Sequence, residues 1–162
     1  MKPKFIFLDI DGVLNNHRFI MENSYLKESE QKLIDEQKMV LLKNIIEATR
    51  AKIVLSSSWR DMFDENMSPR TKRASEIMAL FQAYGLELWS RTQDQSDKML
   101  SIEKWIKSHR SIIDRFIIID DDFIYDNREM LSRLVRTSYY IGLTEQHVSA
   151  AIHMLKDEEP CL

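Results

Sequence analysis

The sequence predicts a doubly wound α/β fold, a Rossmann-like parallel sheet of about five strands with helices on both faces. Three observations carry this expectation. The runs Phe5 to Leu8, Ile53 to Leu55 and Phe116 to Ile119 are apolar at every position, as strands covered on both faces must be. Between and after them, apolar residues recur at i, i+3, i+4 and i+7, the stripe of a helix lying on a sheet. Strand and helix signals alternate along the chain, which is how parallel strands joined by crossover helices read.

Taken in order, Phe5 to Leu8 is the first strand and ends in Asp9-Ile10-Asp11-Gly12. Residues 16 to 35 carry no sustained stripe and read as a short insert. Leu42, Ile45, Ile46 and Thr49 then mark a helix that leads into the strand Ile53 to Leu55. Ser68-Pro69 suits a helix start, because serine caps and proline needs no amide partner at the first helical position. Ile77, Leu80, Phe81 and Tyr84 continue that helix, and Gly85 suits its carboxyl cap. A weaker strand follows over Leu86 to Trp89. Ser96-Asp97 caps a third helix, with Lys98 at its start and Met99, Ile102 and Ile106 along one face. After the strand Phe116 to Ile119 come a second weak strand, Leu134 to Thr137, and a last helix capped by Thr144 with Val148, Ala151, Ile152 and Leu155 on one face. Five strands and four helices result.

The 162 residues, 44% apolar, suffice for one core, and without repeat or flexible linker the expectation is a single domain over 1–162. The net charge of −3 supplies no general basic field, so any nucleic-acid contact must be local. One cysteine, Cys161, excludes an internal disulfide and a cysteine metal site. The apolar run at the start is too short and too soon acidic for a signal peptide, and no run approaches the ~20 residues of a membrane span. The expectation is a cytoplasmic protein with no membrane partner; its oligomeric state is not readable.

Asp9, Ser56 and Asp120 each follow one of the three strongest strands, and parallel strands share one carboxyl edge where ligands bind. Asp9, Asp11, Asp120 and Asp121 would then crowd together and repel unless protonated or bridged by a cation. Oxygen-only donors suit Mg²⁺, which shares its shell with water and substrate phosphate. Gly12 lets the chain leave the strand sharply and bring its amides close to an anion.

DIDGVLN resembles motif I of the haloacid dehalogenase-like (HAD) superfamily, an aspartate pair flanking one residue and followed by glycine. IVLSSSWR resembles motif II, Lys98 at a helix start resembles motif III, and FIIIDDD resembles motif IV. More narrowly, AKIVLSSSWR, FIIIDDD and LVRTSYYIGLT are similar to the small HAD domains of predicted RNA-repair proteins. The resemblance implies a Mg²⁺-dependent phosphomonoester hydrolase. Asp9 would be nucleophile and metal ligand, and Asp11 the acid and base, with its backbone carbonyl on the metal. Ser56 would hydrogen-bond the phosphoryl oxygens, Lys98 would neutralise developing charge and hold Asp9 ionised, and Asp120 would complete the metal shell, with Asp121 as a further ligand or just behind one. Gly12, Ser57 and Arg60 would serve substrate binding.

Several assignments stay open on the residues alone. Arg91 or Lys104 could replace Lys98, and Ser57 or Ser58 could share the role of Ser56. Asp122 and Asp126 read equally as neighbours of the metal or as a solvated turn. Trp59-Arg60 reads as a base-stacking platform or as a packed tryptophan beside a paired arginine. His17, His109, His147 and His153 share no metal-ligand spacing, and His147 and His153 read as ordinary residues of the last helix. No cap domain fits between the motifs, so unless an oligomer partner or residues 16 to 35 act as a lid the site would admit bulky substrates such as nucleic-acid ends or phosphoproteins. The resemblance to RNA-repair domains points to an RNA or DNA 3′-phosphate end. A nucleotidase or other small-molecule phosphatase is the alternative, and a receiver-like phosphoacceptor or a non-catalytic module of the same fold stands further off.

Overall fold

The computed structural model describes residues 1–93, 97–122 and 127–156; Ser96, Asp126, Cys161 and the acidic tail from Asp157 to Glu159 lie outside the described residues. Five parallel strands form one sheet: β1 (Phe5–Leu8), β2 (Lys52–Leu55), β3 (Leu88–Arg91), β4 (Phe116–Asp120) and β5 (Leu134–Arg136), in the order β3-β2-β1-β4-β5. The chain moves outward from β1 through β2 to β3, then returns to the opposite side of β1. The strand order therefore reverses between β1 and β4, where open α/β sheets bind ligands. All four residues of β1 are buried, which is why its run shows no polar alternation.

The helices are α1 (His17–Ser24), α2 (Glu36–Thr49), α3 (Lys72–Ala83), α4 (Lys98–His109), α5 (Arg128–Ser132) and α6 (Glu145–Lys156), with 3-10 turns over Glu28–Glu30 and Ser58–Met62. Alternate strand residues sort into two cores. Ile6, Leu8, Ile53, Leu55, Ile117 and Ile119 pack with buried residues of α2, α3 and α6. Phe5, Phe7, Val54, Phe116 and Ile118 pack with those of α4 and α5. On that second face Trp105 of α4 meets Phe5 and Phe7 edge-on, with ring centroids 5.1 and 5.3 Å away. Among the described residues, no helix is long and apolar enough to cross a membrane.

Four local features depart from the sequence expectation. The helix after β2 starts at Lys72, where Thr71 accepts the Ala74 amide, and not at Ser68-Pro69. Asp64 instead takes the amides of Asn66 and Ser68 into a turn, leaving Pro69 bridged to Phe63. The third strand begins two residues late because Gly85, at φ +71°, and Leu86 still close α3: their amides bond Gln82 and Phe81 carbonyls at 2.9 Å each. Two helices, α1 and α5, were not expected; α1 buries none of its residues and so shows no stripe. Finally, His147 is no ordinary helical residue, since its Nδ1 accepts the Thr144 amide at 3.1 Å while Thr144 Oγ1 accepts the His147 amide. Burial lowers the pKa of that imidazole, which suits an acceptor.

Candidate active site

The sheet ladder extends one residue past each central strand and so fixes the side chains at its carboxyl edge. The amide of Asp9 donates to Ile119, that of Ser56 to Leu8 and that of Thr92 to Leu55, each at 3.0 Å. These amides follow apolar strands, so the polar side chains next to them are buried: Asp9 is 6% exposed, Ser56 and Asp120 not at all.

Lys98 is the cation brought to the acids. It stands in the first turn of α4, where Asp97 takes the Met99 amide, and its Nζ lies 2.7 Å from Asp120 Oδ2 and 3.3 Å from Asp9 Oδ2. Arg91 donates to the Asp64 and Thr92 carbonyls, and Lys104 lines a cleft beside Arg91 and Trp105. Asp121 joins Asp9 and Asp120, with one oxygen of each inside a 4.8 Å span. Three carboxylates thus face one ammonium. Burial, then Asp120, push the Asp9 carboxyl up to about 7 against the opposing pull of Lys98. Asp121 is likewise raised, by burial and then Asp120. For Lys98 burial acts downward, yet Asp9 and Asp120 outweigh it and hold its pKa above the ordinary value. A divalent cation fits this donor set: the oxygens are hard, and its charge would keep the carboxyls ionised at neutral pH.

Asp11 lies outside the three-carboxylate group. The chain turns after Ile10, whose carbonyl accepts from Val13, Leu14 and Asn15. Asp11 is exposed, and its Oδ2 accepts the indole N–H of Trp59 at 3.0 Å. Trp59 also packs on the larger core while the Arg73 guanidinium lies 5.2 Å from its ring centre. Gly12, at φ +77°, makes room for an acid: a Cβ there would stand 2.2 Å from the Asp121 carboxyl carbon. Its carbonyl accepts the Thr137 hydroxyl at 2.7 Å, and Thr137 in turn gives its amide to Asp120 at 3.1 Å.

In the loop after β2, the three serines have separate fates. Ser56 Oγ is buried with no hydrogen-bond partner among the described residues, a donor in want of an acceptor. Ser57 Oγ caps the 3-10 turn through the Trp59 amide, and Ser58 is exposed. Arg60 is buried and donates from Nη1 to the Ser56 carbonyl at 3.0 Å, bracing this loop from behind. Asp122 is exposed and gives its amide to Asp120 Oδ1 at 3.0 Å. The contacts missed from sequence are the Trp59 clamp on Asp11 and the Thr137 bridge, both joining residues remote in the chain.

Residues 5–148 match the model of a family described as the HAD domain in Swiss Army Knife RNA repair proteins. The span covers most of the chain and every residue of this site. A comparison with curated proteins finds no match.

Proposed function

Since the chain belongs to the family of HAD domains in Swiss Army Knife RNA repair proteins, we propose that it is a divalent-cation-dependent phosphomonoesterase working through an aspartyl-phosphate on Asp9. The observation that carries this reading is the approach of Asp9, Asp120 and Lys98 at the reversal point of the sheet, beside the Ser56 hydroxyl, which has no hydrogen-bond partner among the described residues. Asp9, Asp120 and Asp121 would hold Mg²⁺, whose charge would offset repulsion between a carboxylate nucleophile and a phosphate dianion.

In the first step an Asp9 oxygen attacks phosphorus, the bond to the leaving oxygen breaks, and that oxygen takes a proton from Asp11. In the second, water gives a proton back to Asp11 and attacks the same phosphorus, which releases inorganic phosphate and restores Asp9. Ser56 Oγ and Lys98 Nζ hydrogen-bond the phosphoryl oxygens throughout. Gly12 offers its backbone to the phosphate, while Ser57 and Arg60 shape and brace the loop that presents Ser56.

The substrate class is a nucleic-acid end, a 3′-phosphate of RNA or DNA, met in the cytoplasm. The family description supports the polymer, and the segments between motifs support access. Between β1 and β2 the described chain adds α1, a 3-10 turn and α2; between β2 and β3 it adds a 3-10 turn and α3. The test is kcat/KM measured side by side on 3′-phosphorylated oligonucleotides, 5′-phosphorylated oligonucleotides and mononucleotides. The 3′-phosphorylated ends should lead. Mononucleotides turned over equally well would replace this reading with a nucleotidase.

A further inference from the structure

Three aromatic rings meet where the loops that follow β1 and β5 are joined by backbone bonds. His17 opens α1, and Tyr139 and Tyr140 lie in the loop that follows β5. Ring centres are 5.7 Å apart for His17 and Tyr139, 5.6 Å for His17 and Tyr140, and 5.7 Å for the two tyrosines. All three residues are exposed, Tyr139 to 44% and Tyr140 to 67%.

The trio is fixed to the strand-end loop of β1. The His17 amide donates to the Tyr139 carbonyl at 2.8 Å, and the Leu143 amide to the Val13 carbonyl at 2.9 Å. Gly142 sits so close that a Cβ would stand 2.8 Å from the Val13 oxygen. Thr137, bonded to both Asp120 and Gly12, precedes Tyr139 by two residues, at most ~7 Å of chain. Exposed rings held by one another and by backbone bonds lose little freedom on contact with a flat ligand. The neighbouring cleft, about 500 Å³, sets Arg18 and Lys38 against Glu22 and Asp35, so its charges balance. Such a surface suits a base better than a run of phosphates.

We propose that His17, Tyr139 and Tyr140 form a stacking platform for the unpaired base next to the phosphorylated end. The proposal rests on the nucleic-acid reading above and moves base recognition from Trp59, whose ring is packed on the core and beside Arg73, to the rings joined to the loop after β1. The experiment pairs two 3′-phosphorylated oligonucleotides, one with a normal last nucleotide and one abasic there. The wild type should favour the first about tenfold in kcat/KM, equivalent to about 1.4 kcal/mol. The double variant Tyr139→Ala/Tyr140→Ala should show no preference, and Tyr140→Phe should keep it. A preference within each variant cannot be mimicked by general loss of activity.

A second arm needs no catalysis. An oligonucleotide ending in 2-aminopurine and a 3′-hydroxyl, with divalent cations removed, should be quenched by the wild type and not by the double variant. Quenching without turnover of any oligonucleotide keeps the platform and removes the phosphatase reading. Unquenched 2-aminopurine together with equal use of both oligonucleotides overturns the platform. So does a preference for a phosphopeptide that the double variant loses.

Discussion

Trp59 gives its indole N–H to Asp11 at 3.0 Å, although 48 residues separate them, and so ties the proposed acid-base group to the loop that carries Ser56. Asp11 is otherwise an exposed side chain with freedom to turn. Trp59→Phe keeps the packing and the stack with Arg73 but removes the donor. The expected result is a fall in kcat of about tenfold, equivalent to about 1.4 kcal/mol of barrier, with Tm nearly unchanged because the bond lies at the exposed surface. Unchanged kcat would remove Trp59 from the positioning of Asp11.

Lys98→Met takes away the ammonium 3.3 Å from Asp9 and 2.7 Å from Asp120. Turnover should drop by about 10²–10³, the usual loss when one donor to a developing charge is removed. A drop of less than threefold in steady-state assays would hand the role to another cation.

The metal-free protein should lose stability as pH rises. Asp9 has a folded pKa near 7 against an ordinary 3.8, so the folded state binds its proton more tightly than the unfolded state. That contribution is fully present below about pH 4 and is lost as pH climbs through 7. In chelator, Tm should therefore fall between pH 5 and 8. Asp9→Asn should flatten the fall, abolish turnover and raise Tm at pH 8, where each ~1 kcal/mol relieved corresponds to roughly 2–4 °C. A Tm that rises over the same interval in the wild type would contradict the buried acid pair.

Gly12→Ala places a methyl against the Asp121 carboxyl in a left-handed backbone conformation. Strain of roughly 1–2 kcal/mol is expected from the backbone alone. If the proposed cation site is correct, displacing Asp121 should also weaken it, read as a smaller rise of Tm with added Mg²⁺ than in the wild type. An equal rise in both proteins would detach Asp121 from the metal.

The parts legible in the sequence were those where a local pattern reports burial. The apolar runs of β1, β2 and β4 and the stripes of α2, α3, α4 and α6 are one-dimensional shadows of the two cores, and the acids behind the runs had to share an edge. Asp9, Ser56 and Asp120 could be placed on that edge for that reason, whereas Lys98 was singled out by its resemblance to motif III, with Arg91 and Lys104 left open. The short helix α1 buries nothing, so periodicity had nothing to report. The 3-10 turn occupies Ser57 and leaves Ser56 as the buried serine with no hydrogen-bond partner among the described residues. The Trp59 bond to Asp11 and the meeting of His17 with Tyr139 join residues far apart in the chain, and no local spacing encodes such contacts.

The register of the central strand bears on how the chain folds. Phe5 pairs with Lys52 on one side and with Phe116 on the other, so the most apolar strand is synthesised first and completed late. Until β4 emerges, one edge of β1 offers unpaired amides and carbonyls flanked by Phe5, Ile6, Phe7 and Leu8, a template for pairing with another nascent chain. Closure across that gap joins residues distant in sequence, which slows folding relative to a chain built on neighbouring contacts. Asp9 stands at the end of that same strand, and a carboxylate flanking an apolar strand is the kind of residue that disfavours edge-to-edge pairing.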